Sequence, residues 1–192
     1  EYQLFDMKKD PQEMKSVHKD PAYTNVFAGM KKELDDARKK YRVHSAIIGQ
    51  PKDQDWWKKR HASMNQKAKK PHDLLFIGDS ITQGWEGSGK GTWDKFYGNR
   101  KTLNLGISGD RTEHVIWRLN NGNLKNQKKA KVAVIMIGTN NTGHKLQDPT
   151  EVKDGIGRII STVRARCPQA KILLLSIFPR GVNPDDPKRK NN

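Results

Sequence analysis

The chain has 192 residues, 33% of them hydrophobic, one cysteine and a formal net charge of +16. A single cysteine excludes an internal disulfide framework and a cysteine-based metal site, and no run approaches the roughly 20 apolar residues of a membrane-spanning helix. The positive surplus attracts polyanions in principle, but lysines spread over several segments without a nucleic-acid motif are expected to form a solvated surface, with no nucleic-acid partner.

Residues 1–44 read as a first unit and carry little of the charge: ten Lys/Arg against eight Asp/Glu, so +2, which leaves 27 against 13, or +14, for residues 45–192. Tyr2 and Leu4 among polar neighbours predict a short strand, closed by a turn at Asp10-Pro11. Asp20-Pro21 starts a helix, with Asp as the cap and Pro in the first turn. Tyr23, Val26, Phe27, Met30, Leu34, Ala37 and Tyr41 recur at steps of three or four, one apolar stripe on an amphipathic helix. Residues 45–52 are expected to be a linker, broken by Gly49 and Pro51. Asp53-Gln54-Asp55-Trp56-Trp57 opens a helix to about Lys67, before Pro71 forbids its continuation. One Trp of the pair is expected to pack into a core rather than stack on bases.

An apolar run over 73–78 then predicts a strand ending in Gly78-Asp79-Ser80. Residues 92–97 form a short helix with an aromatic inner face. Residues 102–106 are a second strand that runs into Ile107-Ser108-Gly109-Asp110. A helix follows from Thr112 to about Asn120, with Asn121-Gly122 as its C-cap. The third strand, 131–137, is apolar almost throughout, as expected of a strand buried on both faces, and Gly138-Thr139-Asn140-Asn141 terminates it. A helix over 149–166 turns Val152, Ile156, Ile159, Ile160 and Val163 inward. Residues 170–177 predict a fourth buried strand, and 178–192 a loop. The alternation implies an α/β fold with a parallel sheet, right-handed crossovers and helices on both faces. Function in such a sheet sits beyond the carboxyl ends of the strands, where the three Gly/Ser/Asn-rich junctions fall together.

Those junctions contain what acyl transfer needs: a nucleophile and donors aimed at a developing oxyanion. Ser80 is the hydroxyl candidate, and its place at a helix start puts its own N–H near its oxygen. Gly109 offers an unobstructed backbone N–H. Asn140 offers a side-chain amide.

The segments Phe76-Ile77-Gly78-Asp79-Ser80-Ile81-Thr82, Asn104-Leu105-Gly106-Ile107-Ser108-Gly109-Asp110 and Gly138-Thr139-Asn140-Asn141 resemble, in order and spacing, the first three motif blocks of the GDSL/SGNH hydrolases. Residues 109–119 look like the platelet-activating-factor acetylhydrolase subunit branch, and the likeness covers about residues 50–190. The resemblance implies a flavodoxin-like, three-layer sheet and a serine esterase over residues 53–192 without metal or organic cofactor. It implies Ser80 as nucleophile, Gly109 and Asn140 as partners in an oxyanion hole, and Asp79, Asp110, Asn141 and His114 as substrate-binding or supporting residues. The implied substrate is a small-molecule or carbohydrate ester.

The family's last block, Asp-x-x-His, supplies the base, and no Asp-x-x-His occurs in this sequence. His114 and His144 lie on the correct edge of the sheet, and neither is expected to replace that base. The domain is accordingly expected to be C-terminally truncated, with residues 172–177 left as an apolar edge open to association. The alternatives are an inactive remnant or a basic polyanion-binding module. Residues 1–43, with Glu1 to Glu13 and Asp20-Pro21-Ala22-Tyr23, resemble the C-terminal end of bacterial sulfatases without their catalytic or metal-binding motifs. That likeness implies a strand-helix appendage left from a sulfatase-esterase fusion, and an exported protein.

Overall fold

Four apolar runs form four short strands, β1 (Leu74–Gly78), β2 (Thr102–Gly106), β3 (Val132–Met136) and β4 (Lys171–Leu174). They build one parallel sheet in the order β2-β1-β3-β4. The structure, a computed structural model, describes residues 2–145 and 147–178. It falls into two units, Glu1–His44 and Ser45–Asn192.

In the second unit the helices are α2 (Asp55–Lys67), α3 (Ser80–Gln83), α4 (Lys90–Phe96), α5 (Thr112–Arg118), α6 (Thr139–Lys145) and α7 (Pro149–Arg166), numbered after α1 (Thr24–Lys40) of the first unit. Alternation along β1 separates two layers. Leu75 and Ile77 are fully buried and pack with Leu103, Leu105, Ala133 and Ile135 against Trp57 and Met64 of α2, Val115 of α5, and Ile159 and Val163 of α7. Phe76 points to the other face, into an aromatic cluster with Trp85, Trp93 and Tyr97 at ring distances of 5.0–6.5 Å. The sheet thus lies between two layers, as the alternation predicts, with a flavodoxin-like strand order.

The register is what positions a site. Gly78 stands beside Gly106 on one side and Met136 on the other, so β1, β2 and β3 end at one level. The order reverses at β1, since β2 lies on one side of it and β3 on the other. That is the switch point at which such sheets leave a crevice. The close descent of α3 requires a glycine: a Cβ on Gly106 would collide with Gln83 N and lie 2.7 Å from the Thr82 carbonyl carbon.

Three sequence expectations are corrected. No strand forms at residues 2–10; Leu4 is held by single bonds, its N–H donating to Ser16 Oγ at 3.1 Å and its carbonyl accepting from Val17 N–H at 2.7 Å. One such pairing is not a ladder. The appendage is therefore a looped segment followed by a 3₁₀ turn (Pro21–Tyr23) and α1, with the Asp20 side chain capping Ala22 N–H. Residues 45–47, expected as linker, form a 3₁₀ turn whose Ala46 is fully buried, its carbonyl so close to α7 that a Cβ on Gly155 would stand 2.7 Å away. Finally, β4 is not buried: Leu173 is 52% and Leu174 47% exposed, because β4 is an edge strand of the described sheet. The loop expected over 178–192 lies outside the described residues except for Phe178.

Candidate active site

The β1 junction presents Asp79 and Ser80 in opposite ways. Asp79 is buried and caps α3, its Oδ1 accepting Ile81 N–H at 3.0 Å. Burial pushes its carboxyl above the usual range, against the pull of that N–H bond. Ser80, the first residue of α3, is exposed. Among the described residues its hydroxyl has no hydrogen-bond partner, and its backbone N–H has no acceptor.

The β2 junction is a tight turn. Asp110 N–H donates back to Ile107 O at 3.2 Å, and Gly109 has φ +68°, a left-handed conformation that favours glycine. Gly109 N–H likewise has no acceptor among the described residues. Ser108 N–H donates to Gln83 Oε1 at 2.8 Å, tying this turn to α3.

Asp110 itself faces inward. It is fully buried and accepts from Trp57 Nε1–H at 2.7 Å and Arg118 Nε–H at 2.8 Å. Arg118, also fully buried, donates as well to Asn123 Oδ1 at 3.0 Å and to the last carbonyl of β1, Gly78 O, at 2.9 Å. Burial pushes the Asp110 carboxyl above its ordinary value, with Arg118 opposing part of the rise. The pair stays ionised because arginine keeps its proton in proteins and every charged atom here has a partner. One guanidinium thereby bolts the β2 turn to the end of β1.

Asn140 and Asn141 open α6, a helix the sequence reading did not anticipate. Asn140 is buried, its Nδ2 donating to Asp110 O at 2.9 Å and lying 3.4 Å from Asp79 Oδ2. It therefore touches both other junctions. Asn141 does different work. It is fully buried, its Oδ1 accepting Thr112 N–H at 3.0 Å and its Nδ2 reaching Thr112 Oγ1 and Gln147 Oε1. It holds the start of α5 rather than facing the crevice. His114 closes the same turn as part of a capping box, its Nδ1 accepting Arg111 N–H at 3.0 Å. Burial, with the Arg111 charge added, drives its pKa down to about 3, so the ring is neutral. Glu113 is fully buried beside it. Burial raises its carboxyl, but Arg111, bonded at 2.6 Å, outweighs this and holds it below the usual range.

The three junctions found in the sequence therefore do meet. Arg118, Gln83 and Lys52 were missed. Arg118 sits on a helix among apolar neighbours, and a charge on an inward face is the one signal that it is paired. Lys52 lies 57 residues from the Gly109 carbonyl it touches, and no local pattern announces it. A cleft of about 660 Å³ beside β2, lined by residues including His72, Trp85 and Trp93, contains none of the junction residues. Among the described residues no cluster of His, Cys, Asp and Glu could hold a metal, and no helix is long and apolar enough to cross a membrane.

This arrangement, with a serine at the start of a helix beyond the central strand of a parallel sheet and two companion loops, fits the fold of the GDSL-like acylhydrolases. Residues 76–192 match the GDSL-like Lipase/Acylhydrolase family, and the chain belongs to it. It is 40% identical over 139 residues to the platelet-activating factor acetylhydrolase IB subunit alpha2 of Homo sapiens, covering 71% of this chain and 58% of the relative. The Homo sapiens alpha1 subunit is 36% identical over 136 residues, covering 71% of this chain and 56% of that one. The chain thus spans somewhat more than half the length of these relatives. A solved GDSL-like lipase from Bacteroides thetaiotaomicron superposes with a TM-score of 0.51 at 22% identity, covering 69% of this chain and 63% of that one, a likeness of fold.

Proposed function

We propose that the second unit binds and attacks a carboxylic ester, with Ser80 as nucleophile and the Ser80 N–H, Gly109 N–H and Asn140 amide as donors to the oxyanion. The observation that carries this reading is the pair of unclaimed N–H groups. The Ser80 and Gly109 amides lack acceptors among the described residues, and Ser80 is exposed and Gly109 half-exposed. Accessible donors at strand ends are open to a group that arrives with the substrate. Asn140 fits the third place: one of its hydrogens is bonded to Asp110 O, and the other is held only loosely at 3.4 Å from Asp79. Asp79, Asp110, Asn141 and His114 act as supports that fix these donors.

In the proposed step the Ser80 oxygen adds to the ester carbonyl, and negative charge builds on the carbonyl oxygen within reach of the donors. Loss of one such donor costs about 10²–10³ in kcat. The hydroxyl proton passes to solvent water, since His114, with a pKa of about 3 and its Nδ1 accepting Arg111 N–H, is too weak a base. The adduct then collapses, the carbonyl re-forms as the C–O bond to the alcohol breaks, the alcohol takes a proton from solvent, and water releases the acyl group from Ser80. An acetyl ester is the favoured substrate class, from the acetylhydrolase relatives.

A serine-directed phosphonate tests the reading by intact mass. One adduct per chain at Ser80, absent in Ser80→Ala, is expected. No adduct would overturn the nucleophile assignment and favour a fold retained without catalysis.

A further inference from the structure

Lys52 precedes α2 and belongs to none of the three motif blocks. Its ammonium donates to Gly109 O at 2.7 Å and to Ser108 O at 3.3 Å, and lies 3.6 Å from Asp110 Oδ1. Only 14% of its side chain is exposed, and the Trp56 ring stands 5.7 Å away. A lysine is costly to bury and to order, so three oxygens around one ammonium call for an explanation.

The turn it grips supplies one. Ile107 to Asp110 is closed by an i to i+3 bond, with positive φ at Gly109 and none at Ser108. This is the type II pattern. Types I and II differ by a half-rotation of the central peptide, here the one joining Ser108 to Gly109. That peptide is planar and trans, so its carbonyl and N–H point in opposite directions. Whatever holds Ser108 O therefore decides where Gly109 N–H points.

We propose that Lys52 is a positioning residue for acyl transfer, locking the Ser108–Gly109 peptide so that Gly109 N–H faces the substrate. The inference rests on the reading of Gly109 as an oxyanion donor. A positive charge on the Ser108 carbonyl also polarises the peptide and makes its N–H a stronger donor. Gln83 holds the Ser108 N–H from the α3 side, so Gly109 N–H is the one amide of the turn's interior left open.

The charge on Lys52 is set by its surroundings. Burial and Arg111 draw its pKa below the ordinary value, and Asp110 and Glu113 oppose them. His114, the remaining titratable neighbour, is neutral at physiological pH. The clamp is charged below the Lys52 pKa and loses its charge as pH rises through it.

The nuclear Overhauser contact between Ser108 Hα and Gly109 HN tests this without requiring turnover. These protons are much closer in a type II turn than in type I, so the contact is strong in the first and weak in the second. In the 192-residue chain, labelled with ¹⁵N-glycine, the contact is expected to be strong. It is expected to weaken about tenfold in Lys52→Met and to stay strong in Lys52→Arg, whose guanidinium can span both carbonyls. An undiminished contact in Lys52→Met overturns the positioning role. Should Lys52→Met not fold, Lys52→Gln decides: its neutral, shorter side chain cannot hold both carbonyls, so the contact is expected to weaken there as well, and an undiminished contact in Lys52→Gln overturns the proposal. Failure of the ester-hydrolase reading would appear separately, as an unlabelled Ser80 with this contact intact.

Discussion

The loops after β1 and β2 meet at one end of the sheet and are held in opposite ways. The β2 loop is anchored by a buried arginine, a tryptophan, a largely buried lysine and a glutamine. The serine of the β1 loop has no side-chain partner among the described residues. On the proposed reading the contrast divides the site's tasks. The donor loop that would face the charge is fixed in advance, so it need not reorganise when charge appears, and the serine that would attack is left unbonded.

Breaking the anchored side has the largest expected effect. Arg118→Met leaves Asp110 buried without its main counter-charge and is expected to cost about 3–5 kcal/mol, read from urea unfolding. Arg118→Met combined with Asp110→Leu is expected to recover much of that loss, because the uncompensated charge goes with it. Gly106→Ala presses α3 away from β2 and is expected to cost about 1–3 kcal/mol, since the colliding Gln83 N is backbone and cannot rotate aside.

The acid limb sharpens the same contrast. His114 has its pKa lowered from 6.5 to about 3, so between those values the unfolded chain binds a proton that the folded chain refuses. Stability due to this group is complete above pH 6.5 and is lost as pH falls toward 3. His114→Asn keeps an acceptor for Arg111 N–H but cannot titrate. It is expected to flatten stability against pH across that window and to leave it nearly unchanged at pH 7. The smallest effect belongs to the far edge of the sheet. Leu173→Lys is expected to alter stability by less than about 0.5 kcal/mol, and to reduce self-association in sedimentation, as a charged edge resists strand addition.

Much of the site was legible because strand ends carry their own punctuation. Gly78-Asp79-Ser80, Gly106 to Asp110 and Gly138 to Asn141 each close an apolar run, and a parallel sheet gathers such closures at one end. The supports were not legible, because they are long-range. Lys52 to Gly109 and Trp57 to Asp110 span more than 50 residues, and no periodicity encodes that distance. Asn140 and Asn141 are neighbours of one residue type, and only the family resemblance gave them different roles. One reaches the other two junctions and the other is sealed inside, because successive residues of a helix start face different ways. The short strand expected around Tyr2 and Leu4 failed for the converse reason. Its pattern was local, but no partner strand lies alongside it among the described residues of its unit.

The order in which the chain leaves a ribosome adds a consequence to the strand order. β1 must pair with β3, whose residues are made about 58 positions later, and Ser80 waits as long for Asn140. At roughly 5–20 residues per second, that delay is about 3–12 s, during which the central strand lacks one neighbour. Ala46 waits longer still, since the helix that buries it carries Gly155. Ser80 is therefore synthesised well before Asn140, and on the proposed reading a nascent chain lacks one donor of the site until α6 has emerged.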